Sequence, residues 1–288
     1  MLNIKKILLP VDIPIASLSV IHQAATLARH FQSEMVMLHV VTAQSRAAIE
    51  PEDNRELADE GLLAVIKEEA QKRQDQSLGP ELEGLSIQCM AGAGEAAQVI
   101  VQTAEEEKAD LIMMSSYGFA FDQFLLGSVT AKVLNGTERP VWTGAHVQEL
   151  PDQKFAIHNI LGAIEFGPRA ELTASWAAQM AAEFGAHLTL AYVTASVEFW
   201  GPGGNYVNEV WKDELVGNAS EQMAKLQQET GIKADVYIGS GDVPKVLSEA
   251  AKQTKADLLV TGCYPYAGHL GTHGYGIISA VPIPVLSV

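Results

Sequence analysis

The chain states one pattern twice, which limits it to architectures that can be built in duplicate. Gly92-Ala-Gly-Glu95 opens a segment that runs through Val99 and Ala104 to Lys108-Ala-Asp-Leu111. Gly239-Ser-Gly-Asp242 opens another, through Val246 and Ala251 to Lys255-Ala-Asp-Leu258, 147 positions later at both ends. Leu8-Leu-Pro-Val-Asp12 returns as Leu161-Gly-Ala-Ile-Glu165, and Leu38-His-Val40 as Ala191-Tyr-Val193, each 153 positions on. Arg139-Pro-Val141 answers Ile283-Pro-Val285, 144 positions apart. A solenoid has a period of roughly 20–50 residues, so a repeat of this length means two copies of one domain. The expected boundaries are 1–146 and 155–288. The linker falls near His146–Lys154, where Pro151 and acidic residues interrupt the pattern.

Each copy alternates apolar runs of strand length with amphipathic stretches of helix length. In the first copy, strands are expected at Ile4–Val11, Met35–Val41, Leu85–Met90, Leu111–Met114 and Val141–Thr143. Helices are expected at Ser17–Phe31, with Ser17 as a cap, and at Asn54–Gln74, Glu95–Glu107 and Gly127–Leu134. The second copy repeats the order. Its strands are Ile157–Ile164, Leu188–Val193, Ala234–Ile238, Leu258–Thr261 and Val285–Val288. Its helices are Arg169–Phe184, a segment within Asn208–Glu229, Pro244–Gln253, and a poor one around Tyr275–Ala280, broken by glycines and followed by Pro282. Alternating strands and helices give an α/β fold with a parallel sheet covered on both faces. Such sheets bind ligands beyond the carboxyl ends of their strands, where the strand order reverses.

Charge and composition exclude some partners. There are 19 Lys and Arg against 35 Asp and Glu, a formal net charge of −16. Binding to nucleic acid depends on neutralising phosphates with basic side chains, so nucleic acid is not an expected partner. No apolar run reaches the roughly 18–20 residues of a membrane span, so no membrane partner is expected. The short apolar stretch after Lys5-Lys6 reads as a strand, not a leader. Two cysteines, Cys89 and Cys263, stand in no metal or redox spacing, and a reducing cytoplasm is the expected location.

Two segments could carry chemistry. Pro10-Val-Asp12 ends the first strand, where an aspartate can accept from a ribose or an amine, or cap the next turn. After the fourth strand come Met114-Ser-Ser-Tyr-Gly118 and then Gly127-Ser-Val129, which opens a helix. Gly-Ser at a helix N-terminus offers free N–H groups, a hydroxyl and the positive end of the helix dipole to an anion. Other features read as structural. His39 lies inside a buried strand and reads as a satisfied core histidine. Gly92-Ala-Gly94 lacks the third glycine of a dinucleotide fingerprint and reads as a turn shared by both copies. His269 and His273 have a metal-like spacing, but Gly271 and Gly274 argue against a helix there, and no metal site is expected. No Walker loop occurs. The aromatic stretch Phe199-Trp-Gly-Pro-Gly-Gly204, with Tyr206 and Trp211, reads as packing on its own domain, as a lid or as a partner surface.

Leu8-Leu-Pro-Val-Asp12, Leu38-His-Val40, Met114-Ser-Ser-Tyr-Gly118, Leu126-Gly-Ser-Val129 and Arg139-Pro-Val141 together resemble the universal stress protein family. The whole chain resembles a tandem member. The resemblance implies two Rossmann-like domains of the adenine nucleotide alpha hydrolase kind, each a five-stranded parallel sheet with helices on both faces. The family's nucleotide binders carry a glycine, two residues, a second glycine, nine residues, then Gly-Ser or Gly-Thr. Carried over, Pro10 and Asp12 meet the ribose or adenine side, and Val40 offers backbone to the adenine. Met114 and Ser115 line the site, and Gly118, Gly127, Ser128 and Val129 hold phosphates. The cofactor implied is ATP or another adenine nucleotide, with Mg accompanying it.

The chain departs from that pattern in particular places. Ser115 stands where the first glycine belongs, and eight residues, not nine, separate Gly118 from Gly127. In the second copy Glu165 replaces the aspartate, Ala163 the proline, and Pro265 the second glycine, while the loop before Gly271-Thr272 is short. Pro265 has no N–H to donate. The second copy is therefore expected to be degenerate for nucleotide. The reading that follows is a non-enzymatic nucleotide-binding regulator of the stress response, with its site in the first copy. One alternative is a nucleotide-free interaction or ligand-binding module; another is a slow ATPase. Partners implied are a pseudo-dimer within the chain, a homodimer, and a protein partner that the sequence does not name.

Overall fold

A computed structural model describes residues 2–11, 18–42, 82–115, 126–144, 155–195, 204–263 and 274–288, with the backbone alone over 204–209. The chain divides into two compact units, one mainly Asn3–Gly144 and the other mainly Ala156–Val288. The linker and the charged helix expected at Asn54–Gln74 lie outside the described residues, as does Ser17.

In the first unit the described elements are β1 (Lys6–Pro10), α1 (Leu18–Phe31), β2 (Glu34–Val41), β3 (Ser86–Ala93), α2 (Ala96–Glu106), β4 (Leu111–Ser115), α3 (Ser128–Gly136) and β5 (Val141–Gly144). All pairings are parallel, in the order β3-β2-β1-β4-β5. The second unit has β6 (Asn159–Ala163), α4 (Ala170–Phe184), β7 (His187–Thr194), α5 (Gly204–Thr230), β8 (Asp235–Ser240), α6 (Val243–Gln253), β9 (Leu258–Thr261), α7 (Gly274–Ala280) and β10 (Val285–Ser287). Its order, β8-β7-β6-β9-β10, is the same topology.

The chain runs outward from β1 to β2 and β3, then returns across β1 to β4 and β5. Right-handed crossovers therefore place α1 and α2 on opposite faces. Accordingly α1 packs on β1, β4 and β5, whereas α2 packs on β2 and β3. The central strands are buried on both sides. Ile7, Leu8, Leu9, Ile112 and Met113 are wholly inaccessible to solvent in the first unit, as are Leu161, Leu258, Leu259 and Val260 in the second.

The repeated Lys-Ala-Asp segment has a physical cause. Asp110 Oδ2 accepts from the backbone N–H of Lys5 at 2.8 Å and of Lys6 at 3.0 Å. Asp257 Oδ2 does the same for His158 at 2.7 Å and Asn159 at 2.9 Å. Each aspartate thus clamps the amino end of the central strand to the start of its neighbour and fixes their register. Lys108 and Lys255 take the same left-handed conformation, with φ 54° and 52°, to end the preceding helix.

The repeated glycines are structural too. Gly92 and Gly239 lie inside β3 and β8, which run further than the hydrophobic pattern predicts. A Cβ on Gly92 would come 2.7 Å from Val99 Cγ1, and one on Gly239 would collide with Val246 Cγ1. Gly94 and Gly241 turn the chain with φ 139° and 130°, and Glu95 and Asp242 then cap α2 and α6 through the N–H of Gln98 and Lys245. The shared turn expected at Gly92-Ala-Gly94 is correct, but its first glycine still belongs to a strand.

Trp142 at the centre of β5 is fully buried, and its Nε1–H donates to Gln23 Oε1 at 2.7 Å. Gln23, itself buried, donates back along α1 to Ser19 Oγ at 3.1 Å. Gln23→Leu keeps the volume but strands the indole N–H. It should destabilise the first domain by about 1–3 kcal/mol in urea unfolding, with near-native fluorescence of the folded state.

Candidate functional site

In doubly wound sheets a ligand crevice lies beyond the carboxyl ends of the strands where the strand order reverses, which here is between β1 and β4. The first-domain residues expected there converge in part. Pro10 ends β1 and Met114-Ser115 ends β4, the two strands being hydrogen-bonded neighbours. Met114 is buried, whereas Pro10 and Ser115 are half-buried. On the other flank, Val40 is half-buried near the end of β2. Asp12 and Gly118 lie outside the described residues.

Gly127, Ser128 and Val129 begin α3. Gly127 is the N-cap, no side chain caps the helix, and the first helical bond is Ala131 N–H to Gly127 O at 2.9 Å. The N–H groups of Ser128, Val129 and Thr130 therefore precede the first helical acceptor and have no partner within the helix. Gly127 has φ −56° and ψ 135°, a conformation open to any residue. What the glycine supplies is the absence of a side chain in front of the helix. Thr130 Oγ1 donates to Ser115 O at 2.9 Å and ties the first turn of α3 to the end of β4. The donors of the helix and the end of the central sheet are thus held together by one hydroxyl.

The nearby base of α3 is already neutralised. Lys132 Nζ meets Glu95 Oε1 at 2.9 Å, and this bond, followed by that of Gln98 N–H, holds the Glu95 carboxyl below the usual carboxylate range. An anion at the crevice would meet backbone N–H groups rather than this ammonium.

His39 was legible as a core histidine, but not its task. It is 9 % exposed, and its Nδ1 lies 3.1 Å from Val11 O, next to the crevice. A carbonyl oxygen only accepts, so Nδ1 carries the proton. In the second domain the corresponding residue is Tyr192, whose ring packs on Phe166 with centroids 4.5 Å apart. Glu165, the counterpart of Asp12, is exposed. Cys263, just past β9, is buried, and that burial pushes its thiol pKa up despite the opposing field of Arg169. Pro265, Gly271, Thr272, His269 and His273 lie outside the described residues, as do Phe199–Gly203. Trp211, part of the aromatic stretch, is 52 % exposed on α5, beside Val210 at 46 %.

The family model for the universal stress protein family matches residues 3–143 and again 156–288. The chain belongs to the universal stress protein family, as a tandem member with two Rossmann-like α/β domains. A universal stress protein of Methanocaldococcus jannaschii is 32% identical over 140 residues, which is 48% of this chain and 79% of that protein. Among solved structures, a universal stress protein from Archaeoglobus fulgidus superposes with a TM-score of 0.65 at 20% identity, covering 99% of this chain and 96% of that one. A functionally unknown protein of Pseudomonas aeruginosa PAO1 gives a TM-score of 0.66 at 16% identity, covering 99% and 92%. These two likenesses establish the fold. No described helix is long and apolar enough to cross a membrane. The described residues contain no cluster of three or more His, Cys, Asp or Glu able to hold a metal.

Replacing Thr130 by Val removes the hydroxyl bridge from α3 to Ser115 at nearly constant volume. The first domain should lose about 0.5–1.5 kcal/mol in chemical unfolding, and Thr130→Ser, which keeps the bridge, much less.

Proposed function

We propose that this universal stress protein is a non-enzymatic regulator that binds one adenine nucleotide in its first domain. The observation that carries the reading is the start of α3, which no side chain caps and which Thr130 ties to Ser115 at the end of β4. Helix N-termini of this kind attract phosphate through their unpaired N–H groups and the positive end of the helix dipole. Gly127, Ser128 and Val129 would hold phosphates together with Gly118. Pro10, Met114 and Ser115 would form the floor, Asp12 would meet the ribose, and Val40 would face the base. A magnesium ion would arrive with the phosphates, since the described residues offer it no site of their own. Two features support a binding role over turnover. The sequence has no Walker lysine, and Lys132 is engaged by Glu95.

The second domain is proposed to hold no nucleotide, because Glu165, Pro265 and the shortened loop replace the groups that would bind it. A second reading, an interaction module, draws on the exposure of Val210 and Trp211.

Ser128 allows a direct test. Proline is well tolerated at the first position of a helix, and the extended Gly127 suits the residue before it. Ser128→Pro therefore deletes one N–H and the hydroxyl with little disturbance, while Ser128→Ala deletes the hydroxyl alone. Titration with ATP should show affinity lost by about tenfold or more in Ser128→Pro, as expected for a hydrogen bond to a charged group, and a smaller loss in Ser128→Ala. Equal affinity in the wild type and Ser128→Pro would contradict the proposed phosphate site.

A further inference from the structure

Val11 N–H donates to Leu38 O at 2.8 Å, the last rung among the described residues by which the chain beyond β1 follows β2. In a parallel ladder the next rung would carry Val40 N–H to Val11 O. Val11 O instead accepts from the imidazole Nδ1–H of His39, at 3.1 Å. Backbone groups of alternate residues face the same neighbouring strand. Since Leu38 turns its carbonyl toward β1, Val40 turns both its N–H and its C=O to that side, past the last paired residue among those described. Val40 is half-buried there, on the flank of the crevice.

We propose that His39 is a positioning residue for base recognition: its side chain replaces the missing rung, so the strand end stays in place while the peptide edge of Val40 remains unspent. This rests on the nucleotide reading above and adds to it the residue that prepares the base side. The edge so exposed is one donor and one acceptor side by side. Adenine complements it with N1 as acceptor and the N6 amine as donor. Guanine presents these two functions in the opposite order, and would have to turn over to use the same edge.

The second domain lacks this device. Ile164 N–H donates to Ala191 O at 2.8 Å, the same last rung. At the position of His39 stands Tyr192, whose hydroxyl sits at the far end of its ring from the place of Nδ1. Its ring packs on Phe166, directly after Glu165. Among the described residues, no side chain there donates to Ile164 O as His39 does to Val11 O.

The test compares two amides. His39→Asn places its amide nitrogen near the position of Nδ1 and can still donate to Val11 O. His39→Gln places it near Nε2 and cannot. Dissociation constants for adenosine, ATP and GTP are measured on the full chain, together with the unfolding midpoint without ligand. His39→Gln should weaken adenosine and ATP by the same factor, about tenfold for one lost positioning bond, and lower the ATP-to-GTP preference. His39→Asn should restore both affinity and preference to within about threefold of the wild type. A merely structural role would move the unfolding midpoint without changing the preference between bases. Equal affinities and preference in His39→Asn and His39→Gln would overturn the proposal. Wild-type protein that binds neither adenosine nor ATP would remove the nucleotide reading itself, and this inference with it. Loss of ATP in Ser128→Pro alongside an unaltered His39→Gln would leave the phosphate site standing and refute only the role of His39.

Discussion

The pairing of β1 with β4 is the constraint on which the rest depends. It sets the central strand between two neighbours that the chain reaches in opposite directions, and a crevice opens only where that happens. The register of this pair is fixed at the far end of the sheet. There Asp110 accepts from Lys5 and Lys6 while its own N–H donates to Lys6 O at 2.8 Å. Asp257 repeats the arrangement beside Asn159. Both carboxylates lie at the amino ends of the strands, away from any ligand. Their repetition is a matter of assembly, and it explains why the best-preserved stretch of the internal repeat is remote from the crevice.

The two domains have the same sheet and differ where chemistry would occur. Shared parts are the aspartate clamp, the glycine that lets a strand meet the next helix, and the acidic N-cap after it. Those parts satisfy backbone groups or relieve close contacts, and any copy of the fold needs them. At the crevice, by contrast, His39 becomes Tyr192, and the exposed Glu165 follows β6 in place of Asp12 after β1. The nine-residue α3 is matched by α7, a helix of seven residues. The two copies keep what holds the sheet together and differ in the residues proposed to hold a ligand.

Much of this was legible in the sequence because it depends on local patterns. Buried parallel strands read as apolar runs, the helices expected at Glu95–Glu107 and Pro244–Gln253 formed close to those bounds, and the poor helix around Tyr275 formed with one extra residue. What could not be read depends on partners distant in the chain. β3 continues past Met90 because Val40 pairs with Gly92 and Val41 with Ala93, a register set by β2. α5 begins at Gly204, ahead of the expected Asn208, and extends over 27 residues although its sequence has no single apolar face. Residues 210–214 are exposed all round, and the buried contacts come later, at Ala219, Met223 and Leu226. The conformation of Gly127 and the partner of His39 likewise follow from tertiary placement. His39 was recognisable as buried, but only the position of Val11 O shows what its ring nitrogen does.

The central claim is that one copy of the duplicated fold binds an adenine nucleotide and the other does not. Native mass spectrometry of the purified full-length chain, before and after addition of ATP, counts bound ligands directly. The account predicts a single adenine nucleotide per chain, saturating at one when ATP is in excess. Two nucleotides per chain, or none at saturating ATP, would contradict it.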